Sequence, residues 1–108
     1  MQYFQNVSLL EVENYLKTKA NLLIFFNCEW CGQSKMQKLV FDRYLEKPSS
    51  NDWTLVTVDL DHNSLWSDQN QLFKITICPS LVAFSNQTEL TRCNDFLSLS
   101  AFEDFIKP

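Results

Sequence analysis

Apolar and polar positions along this chain alternate between two periods, and each change of period marks an element. Ser8-Leu9-Leu10-Glu11 has the spacing of a capping box, in which a serine and a glutamate three residues apart satisfy each other's backbone N–H groups. Leu9, Val12 and Leu16 then recur on one helical face until the polar run Lys17-Thr18-Lys19-Ala20-Asn21, which predicts a first helix. Residues 22–26 are apolar without alternation, the pattern of a strand covered on both faces. A second helical pattern of Met36, Leu39, Val40, Arg43 and Tyr44 follows and ends before Pro48.

Pro48-Ser49-Ser50-Asn51-Asp52 reads as a loop, residues 55–60 as another inner strand, and Leu65, Trp66, Gln69, Leu72 and Phe73 as a third helix. Pro79 opens a strand over 80–85, Asn86-Gln87 turns it into a partner over 88–93, and Leu99, Phe102, Phe105 and Ile106 give a closing helix. Residues 2–7 add a strand at the start. Parallel βαβ units followed by a hairpin and a helix predict an α/β fold, a central mixed β-sheet flanked by helices on both faces. No internal repeat, low-complexity tract or linker divides the chain, so residues 1–108 are expected to form a single domain.

Composition narrows the function classes. A chain of 108 residues, 45% hydrophobic, buries roughly 65% of its unfolded surface and has no room for a second domain. Nine basic residues against thirteen acidic ones give a net charge of −4, and no basic cluster suggests a phosphate backbone as partner, so nucleic acid is not expected. The longest apolar run, 22–26, is far below the roughly 20 residues of a membrane span. Met1-Gln2-Tyr3-Phe4-Gln5 lacks a signal-peptide pattern, and the expectation is a cytoplasmic monomer without membrane contact. Cys28, Cys31, Cys78 and Cys93 could make two structural disulfides, but the core is large enough to do without them, which favours a reducing compartment and mostly free thiols. Gly32 is the only glycine, so left-handed turns elsewhere fall to Asn, Asp or Ser.

The chemistry concentrates at Trp30-Cys31-Gly32-Gln33-Ser34-Lys35, directly after the first inner strand. A cysteine at a helix start faces unpaired backbone N–H groups and the positive end of the helix dipole, which lowers its pKa and makes it nucleophilic. Ser34, three residues on, carries no second sulfur, so no disulfide closes inside that turn and Cys31 needs a resolving thiol from elsewhere.

Trp30-Cys31-Gly32-Gln33-Ser34-Lys35-Met36 after a buried strand, together with Ile77-Cys78-Pro79-Ser80-Leu81, resembles the thioredoxin family. The likeness extends over residues 5–107, because the order of elements, the Asp59-Leu60-Asp61 strand end and the terminal amphipathic helix also match. The resemblance implies a thioredoxin-like fold, Cys31 as attacking cysteine, Trp30 as the flat aromatic beside it, and Pro79 as a cis-proline next to which an extended substrate docks, with Ile77, Gly32 and Gln33 lining the same surface. Ser34 matches the buried resolving cysteine. Other positions depart from the family: Phe25 stands where many thioredoxins bury an aspartate, Thr57 where a lysine is frequent, Asn27 where a second tryptophan is common, Leu39 at a helix-kinking proline, and Asn94-Asp95 near a glycine of the groove.

Each residue also has a plainer reading. Cys31 as an inert buried cysteine fits poorly with its Trp-Cys-Gly context. Ser34 either donates a hydrogen bond to the thiolate, lowering its pKa, or is an ordinary first-turn residue. Cys28 forms a second C-x-x-C frame with Cys31, but at the strand end it lacks the helix dipole; it is taken mainly as a small packing residue, with resolution of Cys31 as the other reading. Cys78, beside the attacking sulfur in the resembled fold, either partly replaces the missing resolving thiol or is a packed strand residue. Pro79 is a trans strand opener by default and cis by resemblance; Trp30 is core or an exposed platform; Trp53 and Trp66 are packing residues. The Cys spacings and the lone His62 form no paired ligand knuckles, so no metal and no cofactor is expected.

The expected activity is that of a thiol–disulfide oxidoreductase of monothiol type in cell redox homeostasis. Cys31 attacks protein or glutathione disulfides, Ser34 and Cys78 assist, and an external thiol reductant releases the mixed disulfide. The alternative is a redox-inactive module that keeps the groove and binds a peptide without turnover.

Overall fold

The computed structural model describes residues 2–28, 32–46, 53–60, 80–94 and 96–105. In chain order these form β1 (Gln2–Phe4), α1 (Leu9–Thr18), β2 (Asn21–Asn27), α2 (Gly32–Glu46), β3 (Trp53–Asp59), β4 (Ser80–Ser85), β5 (Thr88–Cys93) and α3 (Leu99–Phe105). The expected helix around Leu65–Phe73 and the loop 48–52 lie outside the described residues.

One mixed sheet runs in the order β1-β3-β2-β4-β5. β2 is parallel to β3 on one side, with Phe25 opposite Thr57 and Asn27 opposite Asp59, and antiparallel to β4 on the other, with Phe26 opposite Ser80. β1 adds in parallel to β3, and β5 folds back on β4. The apolar run of β2 is explained by this central place, since alternate side chains enter two different cores. Leu22, Ile24 and Phe26 join Val12, Val56 and Val58 under α1, whereas Leu23 and Phe25 join Phe41, Tyr44, Leu55 and Phe102 under α2 and α3. Helices therefore cover both faces, as the sequence pattern predicts.

Local signals explain the ends of the elements. The capping box at α1 forms as predicted, the Glu11 N–H donating to Ser8 Oγ and the Ser8 N–H donating to the Glu11 carboxylate. Before it, Asn6 takes φ 53°, its N–H donates to Thr57 Oγ1 at 2.8 Å and the Val7 N–H donates to the Thr57 carbonyl. The buried Thr57 thus anchors the turn between β1 and α1. The hairpin between β4 and β5 turns at Asn86 and Gln87, both left-handed at φ 49° and 69°, the backbone of a type I′ turn. Asn86 meets the expectation for left-handed positions in a glycine-poor chain, whereas Gln87 departs from it because the two-residue hairpin requires a left-handed backbone at both turn positions.

The face of α2 corrects the sequence reading. Met36 and Leu39 are 54% and 63% exposed, while the buried positions are Ser34, Gln37, Phe41 and Tyr44. Apolar periodicity misplaced this face because a fully buried glutamine belongs to it. Gln37 Oε1 accepts from the Leu97 N–H at 2.7 Å and its Nε2 donates to the Leu97 carbonyl at 3.1 Å, so the segment before α3 supplies both partners. Aromatic rings complete the attachment: Phe25 meets Phe41 edge-on at 4.6 Å, and Phe102 lies 4.8 Å from Phe41 and 5.2 Å from Tyr44. Among the described residues no helix is long and apolar enough to cross a membrane.

Candidate functional site

β2 delivers the chain to the carboxyl edge of the sheet and α2 leaves from the same edge, starting at Gly32. Residue 31 is therefore the position directly before a fifteen-residue helix, whose first-turn N–H groups and dipole favour a negative charge at that end. Cys31 and Trp30 lie outside the described residues, as do Ile77, Cys78 and Pro79, and so do Trp66 and His62. The described parts of the two motifs are Gly32, Gln33, Ser34, Lys35 and Met36 on one side, Ser80 and Leu81 on the other.

Gly32 and Gln33 are exposed at the first turn of α2, while Ser34 is 2% exposed. Gly32 is not demanded by its backbone: its φ is not positive and a Cβ there would meet nothing within 4 Å among the described residues. Ser80, fully buried directly after Pro79, donates its hydroxyl to Asn94 Oδ1 at 3.0 Å, tying the start of β4 to the segment after β5. Sequence reading missed this contact, since a Ser and an Asn fourteen positions apart carry no joint signal.

Cys28 follows the last residue of β2 and is 3% exposed. Its burial fits the packing reading, but its neighbours are polar. Between the first turns of α2 and the carboxyl ends of β2 and β3 lies a cavity of about 180 Å³, lined by Asn6, Asn27, Cys28, Ser34, Lys35, Lys38 and Asp59. Ser34 and Cys28 thus share one polar space. Phe25 and Thr57 do not line it: Phe25 fills the aromatic core under α2, where it admits no carboxylate, and the Thr57 hydroxyl accepts the Asn6 N–H. Among the described residues no group of three His, Cys, Asp or Glu side chains converges to hold a metal ion. Cys93, the other described cysteine, lies at the end of β5, half-buried and packed against the α2/α3 core.

Comparison with known proteins agrees with this architecture. The family described as Thioredoxin matches residues 5–108. A thioredoxin of Mycoplasma genitalium is 30% identical over 90 residues, 83% of each chain, and one of Mycoplasmoides gallisepticum is 23% identical over 97 residues, 90% of this chain and 92% of that one. Among solved structures, Trxlp from Edwardsiella tarda superposes with a TM-score of 0.80 at 21% identity, covering 97% of this chain and 99% of that one. Oxidised mitochondrial thioredoxin 3 of Saccharomyces cerevisiae superposes at 0.77 with 21% identity over 96% and 92%. At these identities the structures speak for the fold, while the match to the family over almost the whole length decides descent: the chain belongs to the thioredoxin family.

Proposed function

We propose that this protein is a thiol–disulfide exchanger of monothiol type, working as one domain in the cytoplasm. Membership of the thioredoxin family implies thiol–disulfide redox function, and the residues of this chain define its form. Cys31 is the nucleophile: its thiolate attacks a protein or glutathione disulfide, one sulfur leaves as a thiolate, and Cys31 remains in a mixed disulfide. Trp30, Gly32, Gln33, Ile77 and Pro79 form the docking surface. Ser34 holds the place of the second thiol without being able to expel the substrate, so release falls to an external thiol, with Cys78 as the internal candidate to assist.

The observation that carries this reading is the start of α2 at Gly32 with Ser34 buried in its first turn. A helix terminus directly after Cys31 stabilises a thiolate, and a hydroxyl at Ser34 cannot form a disulfide.

The test is the pH dependence of Cys31 alkylation, followed by mass spectrometry of the adduct with an oxidised peptide. The expected midpoint lies well below the ordinary cysteine value of about 8.5, and the peptide is retained on Cys31 until a thiol is added. Ser34→Cys should convert the protein into a dithiol reductase that releases the peptide unaided. An ordinary midpoint with no adduct replaces this reading by the redox-inactive peptide-binding module, which the apolar Phe25 otherwise favours.

A further inference from the structure

The cavity behind α2 has a composition that the exchange reaction alone does not explain. Its walls combine two lysines, Lys35 and Lys38, three residues apart on one face of α2, with the Asp59 carboxylate at the end of β3. Asn6 and Asn27 add amide groups, and Ser34 and the Cys28 thiol close the interior. Positive charge stands on the helix wall and negative charge on the sheet wall. Such a space suits neither an apolar ligand nor a simple anion, since an apolar ligand would desolvate the charges and an anion would meet Asp59. It suits a small zwitterion. A carboxylate keeps several lone-pair positions beyond any one partner, so Asp59 can accept from an ammonium group in addition to its own contacts. The volume, about 180 Å³, holds several waters' worth of ligand, and the carboxyl edge of a sheet is where ligands of open α/β sheets lie.

We propose that this cavity binds the external reductant, and that the reductant is a low-molecular-weight zwitterionic aminothiol, the chemistry shared by free cysteine and the γ-glutamyl end of glutathione. Its carboxylate lies against Lys35 and Lys38 and its ammonium group against Asp59. The inference rests on the monothiol reading of Cys31 and adds the co-reactant. By its resemblance to the thioredoxin family, position 34 is that of the second thiol, so a thiol held against Ser34 stands where an internal second sulfur would stand. There the aminothiolate attacks the Cys31 sulfur of the mixed disulfide. A bond forms between the aminothiol sulfur and Cys31, the bond from Cys31 to the substrate breaks, and its electron pair leaves on the substrate sulfur, which takes a proton from solvent. The aminothiol is oxidised and the substrate sulfur reduced. A second aminothiol molecule then frees Cys31 by the same exchange, leaving an aminothiol disulfide.

Two measurements test this. Cys31 is loaded with thionitrobenzoate as a coloured mixed disulfide, and its release is followed against L-cysteine, glutathione and uncharged 2-mercaptoethanol, each corrected for thiolate fraction. Saturating kinetics are expected with at least one of the two aminothiols and linear kinetics with mercaptoethanol. In Lys38→Gln and in Asp59→Asn the ratio of aminothiol to mercaptoethanol rate at low concentration should fall about tenfold, the loss of one charge-assisted contact. Linear kinetics with every thiol, or an unchanged ratio in both variants, overturns the proposal. The second measurement does not need the exchange chemistry: Cys31→Ser protein is titrated with S-methylcysteine and with S-methylglutathione, and the backbone amide signals are followed by NMR. Saturable shifts at Asn6, Asn27 and Lys38 support the site, and the ligand that produces them identifies the source. No shift with either ligand refutes it. If Cys31 accepts no thionitrobenzoate, the exchange reading fails and this titration decides the cavity by itself.

Discussion

Gln37 offers the sharpest test of how the helix bearing the site is held. It is fully buried, and its amide makes two hydrogen bonds to one residue of a distant segment, accepting from the Leu97 N–H at 2.7 Å and donating to the Leu97 carbonyl at 3.1 Å. Gln37→Leu keeps nearly the same volume and removes both bonds. A buried backbone group left without a partner costs about 1–3 kcal/mol. The contact is only partly buried and water recovers some of the loss, so the pair together comes to ~2 kcal/mol at the low end of that range. For a domain of this size that lowers the Tm by about 10 °C.

Gln37→Glu separates the hydrogen bonds from mere packing. As a carboxylate the new side chain still accepts from the Leu97 N–H, but it cannot donate to the Leu97 carbonyl and it carries a charge into the core. Burial raises the pKa of such a group. A folded-state pKa above the unfolded one means that its contribution is intact at low pH and is lost as pH rises through the folded value. Protonated, the acid both donates and accepts, as the amide does. Relative to wild type at each pH, the Glu variant should therefore be more destabilised than the Leu variant near neutrality and recover toward wild type in mild acid. Denaturant unfolding across pH measures this, with hydrogen exchange of the Leu97 amide as the local readout. A Glu variant as stable as wild type at neutral pH, with Leu97 protection unchanged, would refute the account of α2.

Two further outcomes follow from the packing. Phe25→Ala removes the ring that meets Phe41 edge-on at 4.6 Å in a fully buried site, so calorimetry or urea unfolding should show a loss of about 3–5 kcal/mol; a loss below ~1 kcal/mol would mean that the aromatic core closes up around the gap. Tyr3 has its pKa pushed from 10.0 to about 12, chiefly by burial and then by the nearby Asp42 carboxylate, and its hydroxyl has no partner among the described residues. Its contribution is whole below pH 10 and is lost as pH rises to 12. Because the residue is half-exposed, screening keeps the effect under ~2 kcal/mol. Tyr3→Phe should remove that alkaline loss and change stability little at neutral pH, as unfolding curves of the two proteins in the same buffers will show.

How much of this could be read in advance depends on how local each cause is. The capping box at Ser8 and Glu11, the continuous apolar run of β2 and the whole hairpin from Ser80 to Cys93 are written in adjacent residues, and the structure reproduces them. The face of α2 was misread because periodicity counts Met36 and Leu39 as inward and Gln37 as outward. Burial of a glutamine depends on the Leu97 backbone sixty positions away, which no helical window contains. Gln87 in the left-handed region escaped for a related reason: the hairpin imposes that backbone through the pairing of β4 with β5, whatever residue stands there.

The same distinction divides the site. The candidate thiol motif could be proposed from sequence because Cys31 directly precedes the residue at which α2 starts, so chain position alone sets it before the helix dipole. The space beside Ser34 was not, since its walls come from Asn6, from the ends of β2 and β3 and from two turns of α2. Those walls bear on the departures from the family. Loss of an interior carboxylate at Phe25 and of a sulfur at Ser34 would leave an inert core if the surroundings had turned apolar with them. Phe25 did so, for its ring is spent on the α2 and α3 core. The Ser34 side did not: Cys28, Asn27, Asp59 and two lysines keep a polar space open beside the buried hydroxyl. Lys35 and Lys38 are exposed on the helix wall, so their charges stay hydrated and the open space costs the fold little. A polar space beside Ser34 is what the proposed exchange with a mobile thiol requires, and the cysteine and glutathione titrations decide whether it serves that end.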